Sequence, residues 1–340
     1  MKNFLTILLI IAFTVSGFTE SKYRIKFATQ APEGSAWIKV MKEYSDEVEQ
    51  LTNGEVKFKI YPGGIQGDEN AVVRKMRLGQ IHSAGFTGVG AGEIVPEFRV
   101  LETPFLLRDY EESDFITEMM SETLSKKFAE NGYILLGLTE VGFVYVYAKK
   151  PIQSMSDLRG VKMWMWEADP LAEASFQALS ANAIPLSITD VLTSLQTNLI
   201  DAIYTSPLAC VSLQWYTRVD YMMDFPLTNA LGAILITKKE FEKLPTDYQK
   251  ILVEKGQQHM ANLVHLSRQA NEESIDLMKQ NGMQLIEIPQ QNIKEFEEAG
   301  IKARESLVGK LYSRELLEKI ETAVQEFRSG KANLLTPTNQ

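Results

Sequence analysis

The sequence predicts a two-lobed α/β fold, and three observations lead to it. Strand-like and helix-like patterns alternate almost from start to finish. The chain has 340 residues, enough for two domains with cores of their own. One amphipathic run, Tyr248 to Asn281, spans roughly 34 residues, or about 50 Å at about 1.5 Å per residue, which exceeds the width of a small domain. With 45% hydrophobic and 23% charged residues, the composition is that of a globular chain and excludes wholesale disorder.

The opening segment MKNFLTILLIIAFTVSGF places Lys2 ahead of an apolar run from Phe4 to Val15, followed by the small pair Ser16-Gly17. Roughly 12 apolar residues cannot cross a bilayer that needs about 20. Residues 1–17 therefore predict a secretory signal peptide cut near Gly17. Cys210 is the only cysteine, so no internal disulfide forms and no cysteine follows the leader to carry a lipid anchor. A periplasmic protein without an anchor is expected. The formal charge is -9, and losing Lys2 with the leader makes it one unit more negative. Without a basic tract, nucleic acid is excluded as a partner, since phosphate contacts supply most of that affinity.

Each element has its own signal. Tyr23 to Phe27 alternates as a strand, and Gly34-Ser35 opens a helix carrying Trp37, Val40, Met41, Tyr44, Val48 and Leu51. Asn53-Gly54 ends it, Glu55 to Tyr61 is a second strand, and Pro62-Gly63-Gly64 is a turn. Asp68 caps a helix running through Val72, Val73, Met76 and Leu78 to Gly79. Later strands are expected at Tyr133 to Leu138, Phe143 to Ala148, Val161 to Trp166, Ala202 to Tyr204 and Ala230 to Thr237. Helices are expected at Leu171 to Leu179, Thr189 to Thr197, Tyr248 to Asn281 and Ile293 to Glu326, with a frayed tail from Ser329 to Gln340. In the strand GVKMWMW, alternation puts Lys162, Trp164 and Trp166 on one face and Val161, Met163 and Met165 on the other.

Covalent chemistry finds little support. His82, His259 and His265 include no pair at the spacing of a helical zinc site, so no metal is expected. No G-x-S-x-G elbow presents a serine. Gly88-Val-Gly90-Ala-Gly92 misses the dinucleotide spacing and reads as a flexible loop. The adjacent acids Asp68 and Glu69 fit a helix start better than a catalytic pair. No cofactor and no enzymatic activity are expected.

Five stretches carry a family resemblance: RIKFATQAPEGSAW, YPGGIQGDENAVVRKMRLGQI, VPEFRVLETPFLLRDYEE, GFVYVYAKKPIQSMSDLRGVKM and ITDVLTSLQTNLIDAIYTSPL. In this order, over Tyr23 to about Glu298, the chain resembles the DctP family, the substrate-binding subunits of TRAP transporters. The resemblance implies a class II-like periplasmic binding protein: two α/β lobes, joined by crossing strands and a long helix, that close on a small molecule and hand it to membrane permease subunits. The expected lobes are 22–141 with 229–269, and 142–228 with 270–328. Monomer and dimer both remain open.

The departures from that family are more informative than the matches. Where relatives carry an arginine that grips a ligand carboxylate, this chain has Trp164, and a second usual arginine, after Gly142-Phe143, is replaced by Val144. The usual Glu-Asn-Pro has become Thr205-Ser206-Pro207. Without its arginine, a carboxylate forfeits a charged hydrogen bond worth about 1.5–3 kcal/mol. A single tryptophan offers about 150–250 Å² of contact, roughly 4–6 kcal/mol if fully covered. A ligand with a large apolar part, lipid-like or aromatic, is expected. The candidate ligand residues are Trp164, Val144, Phe143, Trp166, Ser206, Thr205, Ile188, Trp37, Gln30 and Glu69. One alternative keeps an organic acid, held by a relocated cation such as Lys162 or Lys149. Another makes the fold an enzyme or a sensor partner.

Overall fold

A computed structural model describes residues 21–330; the expected signal peptide at 1–17 and nearly all of the expected tail lie outside the described residues. Ten strands are described: β1 Tyr23–Thr29, β2 Val56–Tyr61, β3 Ser83–Thr87, β4 Tyr133–Ala148, β5 Lys162–Trp166, β6 Asn182–Leu186, β7 Ala202–Thr205, β8 Tyr221–Met223, β9 Thr228–Thr237 and β10 Gln284–Ile286. They run in the order β2-β1-β3-β9-β4-β7-β5-β6, with β8 paired to β4 and β10 to β8. The fold is a two-lobed α/β binding-protein architecture, as the sequence predicts. No helix among the described residues is long and apolar enough to cross a membrane.

One strand joins the two lobes. From Tyr133 to Val144, β4 pairs antiparallel with β9; from Tyr145 to Ala148 it pairs with β7 instead. The two strands predicted here are thus a single strand of 16 residues. Its register shifts between Leu135 and Gly137 and between Glu140 and Gly142, so local bulges bend the strand without ending it. Gly142 lies at φ 111°, where L side chains are strained, and a Cβ there would sit 2.2 Å from Asn271 Nδ2.

The long helix spans Thr246–Gln280 and bridges both lobes. Near its start, Leu252 carbonyl accepts a 2.8 Å hydrogen bond from Tyr44 on the helix Ala36–Leu51. Further along, Asn271 donates to Val141 carbonyl on β4 at 2.9 Å. Its Oδ1 accepts from Leu208 N, in the helix Pro207–Ser212, at 2.8 Å. The buried amide therefore ties the bend of β4 to the second lobe.

The chain's C-terminal part differs from expectation. The helix predicted from Ile293 to Glu326 is two helices, Gln290–Ser306 and Arg314–Arg328, separated by a reversal with Gly309 at φ 78°. The second buries Leu317, Ile320 and Val324 among Ile116, Met120, Leu124 and Phe128 of the helix Tyr110–Glu130, which is absent from the predicted elements. Arg328 adds a 2.7 Å ion pair to Glu112. Residues 314–328 thus pack against the helix Tyr110–Glu130, because that is where their apolar stripe finds cover.

Gly88-Val-Gly90-Ala-Gly92 is another correction. It is a helix, Gly88–Ile94, capped by Thr87, whose hydroxyl accepts from Val89 N at 3.3 Å. Its glycines serve close packing against Glu102, Phe86 and Arg99.

Candidate functional site

The carboxyl ends of β1, β3, β5 and β7 converge where β4 changes partner, the position at which open α/β sheets leave a crevice. A cavity of about 210 Å³ lies there, far above the roughly 10–15 Å³ that one water requires. It is bounded by Thr29 and Gln30 after β1, Thr87 at the end of β3, Trp164 and Trp166 on β5, and Thr205 and Ser206 after β7.

One wall is aromatic. Trp164 is buried, with its ring 5.1 Å from Tyr204 in a stacked arrangement, 5.2 Å from Trp215 edge-on and 5.9 Å from Trp166. Each such pair adds about 0.5–1.5 kcal/mol beyond area burial. The indole Nε1 donates to Leu186 carbonyl at 3.1 Å, so the ring is fixed in orientation. Phe176 stands edge-on to Tyr204 at 5.0 Å, and Trp37 faces the cavity from the first lobe.

The opposite end is charged. Arg99 is buried, and its Nη2 donates to both oxygens of Asp169, at 3.1 and 2.9 Å. Glu102 Oε2 lies 3.2 Å from Arg99 Nε, yet that N–H finds no aligned acceptor. Glu102 Oε1 accepts from Leu231 N at 2.8 Å. Glu69 accepts three hydrogen bonds, from Thr87 N at 2.8 Å, Thr87 Oγ1 at 2.9 Å and Gly90 N at 2.7 Å. Burial outweighs these donors and pushes Glu69 up to about 7; burial likewise lifts Glu102 to about 7 against the pull of Arg99. Burial opposes the charge of Arg99, but Asp169 and Glu102 prevail and raise its pKa.

The helix Gly88–Ile94 makes room for this cluster. A Cβ at Gly88 would lie 1.7 Å from Glu102 Oε2, one at Gly90 2.9 Å from Glu69 Oε2, and one at Gly92 2.6 Å from Arg99 Cγ. Three alternate glycines thus seat three charged side chains against a single short helix.

Of the sequence candidates, Trp164, Trp166, Val144 and Ile188 line the cavity, as do Thr205, Ser206, Trp37, Gln30 and Glu69. Phe143 does not: it is buried against Tyr110, 4.9 Å between ring centres, and pairs with Asn229 on β9. Neither proposed replacement cation lies in the lining. Lys162 Nζ reaches Asn198 carbonyl and Asp201, while Lys149 Nζ donates to Leu195 carbonyl and Asn198 Oδ1. Sequence reasoning missed Arg99, Glu102, Asp169, Tyr204 and Trp215. The one available signal was the i,i+3 pair of charges in the otherwise apolar run FRVLE.

The sequence profile of DctP, described as bacterial extracellular solute-binding protein, family 7, matches residues 27–310. The 2,3-diketo-L-gulonate-binding periplasmic protein YiaO of Escherichia coli is 25% identical over 281 residues, 81% of this chain and 84% of its own. The C4-dicarboxylate-binding periplasmic protein DctP of Rhodobacter capsulatus is 24% identical, covering 77% and 78%. Among solved structures, the sugar acid binding protein DctPAm of Advenella mimigardefordensis, in complex with galactonate, superposes with a TM-score of 0.84 at 22% identity, covering 90% of this chain and 99% of that one. A TRAP periplasmic solute binding protein of Citrobacter koseri with bound D-glucuronate gives 0.80 at 22%, covering 87% and 98%.

Proposed function

Because this chain belongs to the DctP family of bacterial extracellular solute-binding proteins, we propose that it captures a largely apolar molecule between its lobes and delivers it to TRAP-type permease subunits. The boundaries 141/142, 228/229 and 269/270 are proposed as the places where the chain crosses between the lobes. Extracytoplasmic solute binding comes with the family; the nature of the ligand is the proposed part. One observation carries it: among the described residues, the only cation in the cavity lining is Arg99, and Asp169 and Glu102 already neutralise it. Among the described residues, an incoming carboxylate would meet three acids and no free cation, and an unpaired buried charge costs several kcal/mol. The aromatic wall, by contrast, offers contact that any apolar body can use.

A sugar acid is the second reading, favoured by the galactonate and D-glucuronate bound to the similar structures. It requires the ligand carboxylate to displace Asp169 from Arg99. The two readings separate when purified protein is extracted with organic solvent and the extract analysed by mass spectrometry. A lipid-like or aromatic molecule is expected. Recovery of a sugar acid or dicarboxylate at one-to-one stoichiometry would defeat the apolar reading.

A further inference from the structure

The apolar reading leaves open what the polar end of the cavity recognises, and its charge balance decides that. Glu69, Glu102 and Asp169 share the lining with one guanidinium, an excess of two acids when all are ionised. Asp169 takes both contacts of Arg99 Nη2, while Arg99 Nε, buried, is misaligned with Glu102. The charge on Glu102 is therefore only partly answered, and the three donors to Glu69 are all uncharged. Aromatic rings bound the same cavity, and their electron-rich faces attract cations as well as apolar bodies.

Resting on the apolar reading, we infer that the ligand carries a positively charged nitrogen, an amine or quaternary ammonium, seated at Glu69 and Glu102, with its apolar body against the tryptophan wall. A cation would supply the missing counter-charge without displacing Asp169 from Arg99. The alternate glycines fit this assignment, since they bring both carboxylates against one turn of helix. The titratable and charged groups around the site are Glu69, Glu102, Asp169, Arg99 and the phenol of Tyr204, which burial keeps protonated. With Glu69 and Glu102 both lifted to about 7, binding of a cation would draw their protons off. Affinity for it therefore rises as pH passes upward through 7.

The test is calorimetry of the full protein with three probes that share an indole body: tryptamine, the neutral tryptophol, and indole-3-acetate. Tryptamine is expected to bind at least tenfold tighter than tryptophol at pH 8, the gap narrowing at pH 5.5. Glu102→Gln should reduce that preference, and circular dichroism checks that the variant is folded. Tryptophol binding as tightly as tryptamine overturns this inference and leaves the apolar reading standing. Indole-3-acetate binding most tightly overturns both. Absence of tryptamine binding at millimolar concentration also overturns the inference, the apolar reading being judged by the solvent extract.

Discussion

Trp164 shows that pocket and core are not exclusive roles. Its ring touches Tyr204, Trp215 and Trp166 while bordering the cavity. Trp164→Arg is therefore expected to weaken the native ligand at least tenfold, about 1.4 kcal/mol. Contrary to a pocket-only role, it should also lower the melting temperature, because an unpaired cation replaces a buried indole. Trp164→Phe keeps most of the contact and removes one of the two donors to Leu186 carbonyl, Glu167 N remaining at 3.3 Å, so it should cost no more than about 1 kcal/mol. Titration calorimetry with parallel thermal melts measures both; an arginine variant that binds and melts like the parent removes Trp164 from the site. The acids carry a second prediction. Glu69 and Glu102 hold their protons more tightly folded than unfolded, so their stabilising contribution is complete below about pH 4.5 and is lost as pH rises through about 7. The loss is on the order of 3 kcal/mol for each group, at about 1.36 kcal/mol per pKa unit. Ligand-free protein should melt lower at pH 8 than at pH 6, and Glu102→Gln should flatten that slope; a flat profile in the parent contradicts the burial-driven shift. Trp164 was legible from its place in a familiar pattern. The Arg99–Asp169 pair was not, because nothing in a sequence brings together residues 70 positions apart.

At the scale of elements, alternating periodicity located most strands and helices, because each buries one face. It failed where a local turn signal competed with long-range pairing. The segment Thr139-Glu140-Val141-Gly142 reads as a break, yet the β9 ladder holds it in one strand. The run Gly88 to Gly92 reads as a loop because glycine disfavours helix by about 1 kcal/mol per residue. The structure keeps glycine in this helix because a Cβ would clash with Glu102 at Gly88, with Phe86 and Glu69 at Gly90, and with Arg99 at Gly92. Gly88→Ala tests this directly. In a surface helix such a change would stabilise, but here the added methyl would fall 1.7 Å from a buried carboxylate oxygen. Overpacking of this kind costs about 1–3 kcal/mol. Urea denaturation should show a lower midpoint with an unchanged slope, whereas a raised midpoint would mean that Glu102 has room to move.

At the scale of the whole molecule, the lobes meet through β4, β9 and the long helix, and β4 bends near Gly142. Lobe architecture was legible from the length of that helix. The placement of Arg314–Arg328 was not, because an amphipathic stripe records that a face is buried and not by what. Across the cavity, Arg99 comes from the helical turn Pro96–Glu102 beside β9, and Asp169 caps the helix Pro170–Ala178 that follows β5. Any opening that parts these two elements would have to break the pair. In an opened cleft both groups regain water, and little is lost beyond the contact itself. Asp169→Asn removes the charge yet keeps an oxygen able to cap Leu171 N, now bonded at 3.0 Å. Closing the variant would bury Arg99 with only the misaligned Glu102 as counter-ion, at a cost of several kcal/mol. The variant should therefore sit further toward the open form without ligand. Small-angle scattering would report a larger radius of gyration than the parent's, and saturating ligand should compact both. If the parent and Asp169→Asn give the same radius in both conditions, the pair is a fixed part of one rigid body and the cleft does not open by parting it.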